Sequence, residues 1–243
     1  MVNNIGRRLL DGLFPHHCAL CGLRSHRDTP LCNECELEMP VNDSCCVRCA
    51  IPLAPLATPV TGRLCGDCLQ APHAFDRVVA PWLYDEYFAH LIHRWKYHRE
   101  QYLTPLLASL WLKHAVLDTP VDTLVPVPLH WRRRWRRGFN QSELLCRQLL
   151  ATSPALQSCS IAHRLIGRQR STAAQSGMSA RQRASNLTGA FTVFKPCDNL
   201  RIAIVDDVLT TGATATAVAR ALSAAGAASI EVWCLARTPA PGS

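Results

Sequence analysis

Past residue 72 the chain becomes a succession of short apolar runs separated by amphipathic stretches; before it, cysteine dominates. The run over 78–84 predicts a strand, and residues 88–96 and 103–114 carry the spacing of amphipathic helices. Residues 123–129 (TLVPVPL) predict a strand running into a loop, because two prolines do not fit inside a central ladder. A largely helical segment follows over 131–150, interrupted near Gly138. Residues 201–205 (RIAIV) form a short continuous apolar run, as expected of a strand buried on both faces. Val218, Ala221, Leu222 and Ala225 repeat at helical spacing within 214–225, with Gly226 where a C-terminal cap belongs. A last strand is expected over 229–236. Strand–helix–strand alternation predicts an α/β domain with a mainly parallel sheet over 73–243, preceded by a small unit over 1–72.

Composition narrows the class. At 48% hydrophobic and 18% charged residues, a chain of 243 residues is not mostly disordered. No window holds 18 uncharged apolar residues, so no membrane-spanning helix is expected. Residues 1–11 lack a signal-peptide apolar region, which favours the cytoplasm.

The 13 cysteines then point to metal. Nine lie between residues 18 and 68, and a dense disulfide framework is not expected in a reducing compartment. Four pairs read C-x2-C: Cys18/Cys21, Cys32/Cys35, Cys46/Cys49 and Cys65/Cys68. One such knuckle turns two thiolates toward one ion, and two knuckles complete a closed tetrahedral site. Eight cysteines therefore predict two structural zinc ions; sequential pairing of the knuckles is the simplest, and interleaved pairing is also compatible with the spacing. Cys45 is read as a packing residue. Cys146, Cys159, Cys197 and Cys234 are scattered and carry no metal spacing.

Charge is uneven. Lys plus Arg number 26 against 18 acids, a net +8. Within 130–183 eleven Arg face a single acid, Glu143. Such a field favours a phosphate-bearing partner. Its densest part, 130–140, interleaves Arg132, Arg133, Arg134, Arg136 and Arg137 with Trp131, Trp135 and Phe139. Arginine and aromatic rings together suit single-stranded nucleic acid. Trp131 and Trp135, at i and i+4, equally suit a helix face turned into the core. Some of these arginines could instead serve a pyrophosphate pocket.

The most informative stretch is 202–214. An apolar strand ends in Asp206 and Asp207; Thr210, Thr211, Gly212, Ala213 and Thr214 then lead into a helix. Successive backbone N–H groups around a glycine at a helix N-terminus make a nest for one phosphate. Two carboxylates beside it make sense if they meet sugar hydroxyls or a Mg²⁺ that the ligand brings. No Walker A or G-x-G-x-x-G pattern is present.

This segment resembles the 5-phosphoribosyl-1-pyrophosphate (PRPP) motif of type I phosphoribosyltransferases, and the whole chain resembles the ComF/GntX family of competence and DNA-utilisation proteins. The matching pieces are Trp95-Lys96-Tyr97, residues 125–129 (VPVPL), Arg137-Gly-Phe-Asn-Gln141-Ser142, Arg170-x-Thr172-x-x-Gln175 with Arg181, Arg183 and Asn186, Ala190-Phe191, and the PRPP motif itself. The Cys-rich segment resembles that family's double zinc ribbon. The resemblance implies a type I phosphoribosyltransferase fold behind a double zinc ribbon. It implies that Asp206 and Asp207 bind the ribose hydroxyls of PRPP, brought with Mg²⁺, and that residues 210–214 hold its 5-phosphate. It places Val127 and Pro128 at the pyrophosphate, and Arg170, Arg181 and Arg183 on a basic loop that closes over the site. It further implies single-stranded DNA and proteins of the DNA-uptake machinery as partners.

The sequence marks no general base and no base-reading pocket, so ligand binding and turnover are separate expectations. One reading is a PRPP-binding protein of DNA uptake and use; the other is an active phosphoribosyltransferase of nucleotide metabolism without a nucleic-acid role.

Overall fold

The computed structural model describes residues 16–56, 62–71, 73–168 and 189–240. Arg170, Arg181 and Arg183 lie outside the described residues, as do the side chains of Arg132, Arg133 and Arg136.

Among the described residues, the Cys-rich segment contains two short helices, α1 (Asn33–Glu38) and α2 (Gly66–Gln70). The rest is a mixed α/β structure. Strands β1 (Arg77–Val79) and β2 (Trp82–Leu83) both pair with the last strand, β8 (Ser229–Arg237). The single strand expected over 78–84 is thus broken at Ala80-Pro81, where proline has no N–H to give a ladder. Helices α3 (Glu86–Tyr97) and α4 (Thr104–His114) precede β3 (Thr123–Pro126). Gly138, at φ +86°, separates α5 (Trp131–Arg137) from α6 (Gln141–Thr152) at the interruption expected there. Then come β4 (Ser160–Ile161), the antiparallel pair β5 (Ile166–Arg168) and β6 (Phe191–Val193), β7 (Arg201–Leu209) and α7 (Ala213–Ala224).

The central sheet is parallel throughout, in the order β1-β8-β7-β3-β4. Pro126 does sit in this ladder, at its end. Val127 N–H donates to Val205 O (3.0 Å). By alternation the nitrogen of Pro126 faces β4, which has already ended at Ile161. After β3 the chain leaves toward β4; after β7 it leaves toward β8. Adjacent strands whose connections diverge leave a crevice at their carboxyl ends.

Helices α3, α4 and α6 cover one face and α7 the other. Four of the six tryptophans are buried on the first side, and each indole N–H has an acceptor: Leu110 O for Trp82, Thr104 Oγ1 for Trp95, Cys234 O for Trp111 and Glu231 Oε2 for Trp233. Such partners remove the cost of burying a polar N–H. The core on that face is shared with the Cys-rich segment. Cys18, Ala19, Leu31, Cys32 and Met39 belong to the same cluster as Phe88, Leu91 and Trp95. Polar contacts reinforce the junction. Asn42 Nδ2 donates to the carbonyls of Ala50 (2.9 Å) and Ala80 (3.0 Å), and Lys113 pairs with Glu36 at 2.5 Å. Among the described residues no helix is long and apolar enough to cross a membrane.

Candidate metal centres and anion site

The eight cysteines form two groups, Cys18/Cys21/Cys32/Cys35 and Cys46/Cys49/Cys65/Cys68, with all sulfurs of a group within 4.8 Å of one another. The pairing is therefore sequential. The two groups are built alike. The first knuckle of each is a turn whose next residue adopts a left-handed conformation, Gly22 at φ +75° and Ala50 at φ +53°. In each, the second knuckle straddles a helix start: Cys32 and Cys65 precede α1 and α2, and Cys35 and Cys68 lie in their first turns. Cys45, beside the second group, forms an antiparallel bridge with Pro52 and packs against the core on the α7 side.

The donor set fits zinc. Tetrahedral Zn–S bonds of about 2.3 Å require sulfurs about 3.8 Å apart. Cys21 and Cys32 sulfurs are 3.8 Å apart, and those of Cys49 and Cys65 are 3.6 Å apart. Burial raises the Cys18 thiol, but backbone N–H groups of Cys21, Cys32 and Leu20 outweigh it and hold it at about 6. Cys46 is held at about 7 in the same way, against burial, by the backbone of Cys49, Cys65 and Arg48. Burial and neighbouring thiols drive Cys35 and Cys68 well up. One thiol of each group thus ionises readily, and four together need a divalent cation.

At the crevice, β7 runs beyond the five residues expected of it. Strand β8 stays alongside as far as Arg237, so the ladder continues through Asp206 and Asp207 to Leu209. On the other side β3 stops opposite Val205, which opens the acid pair to the crevice. Asp207 is buried and fully engaged. Lys96 Nζ and Gln141 Nε2 both reach its Oδ2 at 2.7 Å, and Val208 N–H donates to Oδ1 at 2.7 Å. Asp206 Oδ1 accepts from Asp207 N–H (2.9 Å) and Ser142 Oγ (3.4 Å). Burial, then the neighbouring Asp207 carboxylate, raises Asp206 to about 7, against the pull of Lys96.

Beyond the acids, Thr210 and Thr211 are exposed, and Gly212 at φ +73° begins α7. The first N–H groups of α7 have no partner within the helix, and its dipole adds partial positive charge. Val127 is buried, and its carbonyl accepts from Asn140 Nδ2 (3.1 Å). Pro128 lines a cleft of about 430 Å³, together with Arg134, Asn140, His163, Arg168 and Phe194.

The basic segment is divided. Trp131 and Trp135 are 64% and 85% exposed, so their i, i+4 spacing marks a solvent face and not a core stripe. Arg137 turns inward, donating to Gln141 Oε1, with its guanidinium carbon 5.3 Å from the centre of the Tyr97 ring. Lys96, Gln141 and Ser142, which hold the acids, carried no chemical signal of their own in the sequence beyond their place in the matching motifs.

A double zinc ribbon domain family profile matches residues 9–69. The DNA utilization protein YhgH of Salmonella typhimurium is 39% identical over 215 residues, covering 86% of this chain and 90% of that protein. Competence protein F of Haemophilus influenzae is 32% identical over 237 residues, covering 92% and 98%. The chain belongs to the ComF/GntX family. The YhgH of Escherichia coli K12 matches at 37% over 214 residues. In this family member the double zinc ribbon is built by the two Cys groups and shares a core with a parallel α/β sheet.

Proposed function

We propose that this protein acts in the uptake or use of DNA, holding single strands on the face of α5 and a PRPP–Mg²⁺ ligand at the carboxyl edge of β7. The observation that carries the reading is the pair of exposed indoles, Trp131 and Trp135, on a helix with five arginines, set immediately before the α6 residues that hold the acid pair. Exposed indoles one turn apart offer stacking platforms, and the arginines meet backbone phosphates. The names of the relatives point the same way.

At the crevice, Asp206 faces the ribose hydroxyls and residues 210–214 face the 5-phosphate. Lys96 and Gln141 fix Asp207, so that only one carboxylate of the pair changes partners as ligand enters. A Mg²⁺ carried by the pyrophosphate would supply charge neutralisation between ligand and carboxylates. A second reading, phosphoribosyl transfer to an acceptor, draws support from the 430 Å³ cleft beside Pro128, which is large enough to admit a small molecule.

The test is binding of a labelled oligo-thymidine strand by fluorescence anisotropy. The double variant Trp131→Ala/Trp135→Ala is expected to bind at least about thirty-fold more weakly, at about 1–3 kcal/mol for each lost stack. Affinity should fall steeply with salt. Unchanged affinity in a folded double variant removes α5 as the DNA face. Calorimetric titration with PRPP and Mg²⁺, against Asp206→Asn/Asp207→Asn, tests the second site. Pyrophosphate release with a panel of nucleobases decides turnover.

A further inference from the structure

Arg237 ends β8 with only 7% of its surface exposed. Its Nε donates to the carbonyl of Cys49 (3.1 Å). Its Nη1 donates to Leu209 O (2.9 Å), to Thr210 O and to Thr238 O (2.8 Å). One buried cation therefore ties the second Cys group to the turn proposed above as the phosphate nest. A cavity of about 310 Å³ between them is lined by Cys65, Gly66, Thr211 and Gly212.

Two physical consequences follow from these contacts. In a trans peptide, C=O and N–H point in opposite directions. With the carbonyls of Leu209 and Thr210 drawn to Arg237, the N–H groups of Thr210 and Thr211 face the other way, to the side where a phosphate would be received. Second, a buried guanidinium needs a counter-charge. Among the described residues no carboxylate forms a salt bridge with Arg237. Four thiolates around one divalent ion carry a net double negative charge, and Cys49, whose carbonyl accepts from Arg237, is a member of the Cys46/Cys49/Cys65/Cys68 group.

We propose that the metal-loaded second Cys group is the counter-ion of Arg237, and that Arg237 is a positioning residue transmitting metal occupancy to the 209–213 turn. The metal then raises affinity for the phosphate of the ligand, and by reciprocity the ligand tightens the hold on that metal. The proposal rests on the PRPP reading for its ligand, but not for the coupling between metal and turn.

The experiment uses the zinc-loaded full chain, Arg237→Gln and Arg237→Lys. Three quantities are measured: PRPP–Mg²⁺ affinity, the rate of zinc release to a chromogenic chelator with and without PRPP, and amide hydrogen exchange over 209–214. Arg237→Gln is expected to bind PRPP about tenfold more weakly, within the usual range of coupling between sites. Arg237→Lys should recover part of the loss. PRPP should slow release of one of the two zinc ions from the wild type and not from Arg237→Gln. Exchange over 209–214 should quicken in Arg237→Gln and in wild type stripped of that zinc. A folded Arg237→Gln with unchanged affinity and unchanged exchange overturns the proposal. If Arg237→Gln does not fold, the wild-type release and exchange arms and Arg237→Lys decide. If the wild type binds no PRPP, the functional reading fails and exchange decides the coupling. Protection over 209–214 that ignores zinc loss overturns it, and protection that falls with zinc loss sustains it.

Discussion

Asp206 titrates near neutrality, and that gives the fold a pH signature that one substitution should erase. Its carboxyl is raised to about 7, by burial first and by the Asp207 carboxylate second; Lys96 and the Ser142 hydroxyl oppose. In the unfolded chain an aspartate titrates near 3.9. A raised folded-state value means that the folded protein holds a proton the unfolded chain has released. The stability this contributes is complete below about pH 4, is lost as pH rises toward 7, and is level above that. Each pH unit in the window is worth about 1.4 kcal/mol, so about 2 kcal/mol disappears between about pH 5.5 and 7. Solvent in the crevice makes this an upper figure. For a chain of this length that corresponds to about 4–8 °C in Tm. Other groups titrate too, so the measured quantity is the difference between Asp206→Asn and wild type by calorimetry at constant zinc. The variant should gain on the wild type across this window, then run parallel to it above about pH 7.5. A difference that is flat across the window, or that shrinks with pH, refutes the assignment. Under the proposed function the same proton has a second readout: PRPP–Mg²⁺ bound at Asp206 would release it, so affinity should rise with pH up to the same plateau.

Three further outcomes are expected. Lys96→Met removes the cation at 2.7 Å from the buried Asp207 and should cost about 3 kcal/mol or more in urea unfolding, most of it recovered by adding Asp207→Asn. Gly226→Ala should cost at least about 1 kcal/mol in thermal unfolding, because φ is +98° and a Cβ would lie 2.2 Å from Asp198 Oδ1; adding Asp198→Ala should restore only part, since the backbone angle stays. The protein should carry two zinc ions, and Cys18→Ser/Cys32→Ser should lower Tm more than Cys46→Ser/Cys65→Ser, since the first group belongs to the main core.

Much of the fold was legible because it rests on local rules. The x2 spacing marked the metal ligands, Gly138 and Gly226 marked the breaks, and Asp206-Asp207 with Thr210–Thr214 marked the crevice. What escaped was set by topology. Gln141 reaches Asp207 across 66 positions of sequence, a meeting that depends on β3 lying beside β7. The extent of β7 escaped because its last four residues are held by β8 alone. Trp131 and Trp135 could not be placed, because i, i+4 spacing describes a buried stripe and an exposed one equally well. Arg237 lay one residue past the strand expected over 229–236; only its carbonyl partners give it a role.

The core that Cys18, Leu31 and Met39 share with Phe88, Leu91 and Leu107 also fixes an order of events during synthesis. The first knuckles leave the ribosome well before α3 and α4 exist. Until about residue 114 has emerged, the N-terminal Cys group has its ligands but no apolar backing, and its thiols stand open to competing metals and oxidants. Metal captured then must wait for the helices to seal it in.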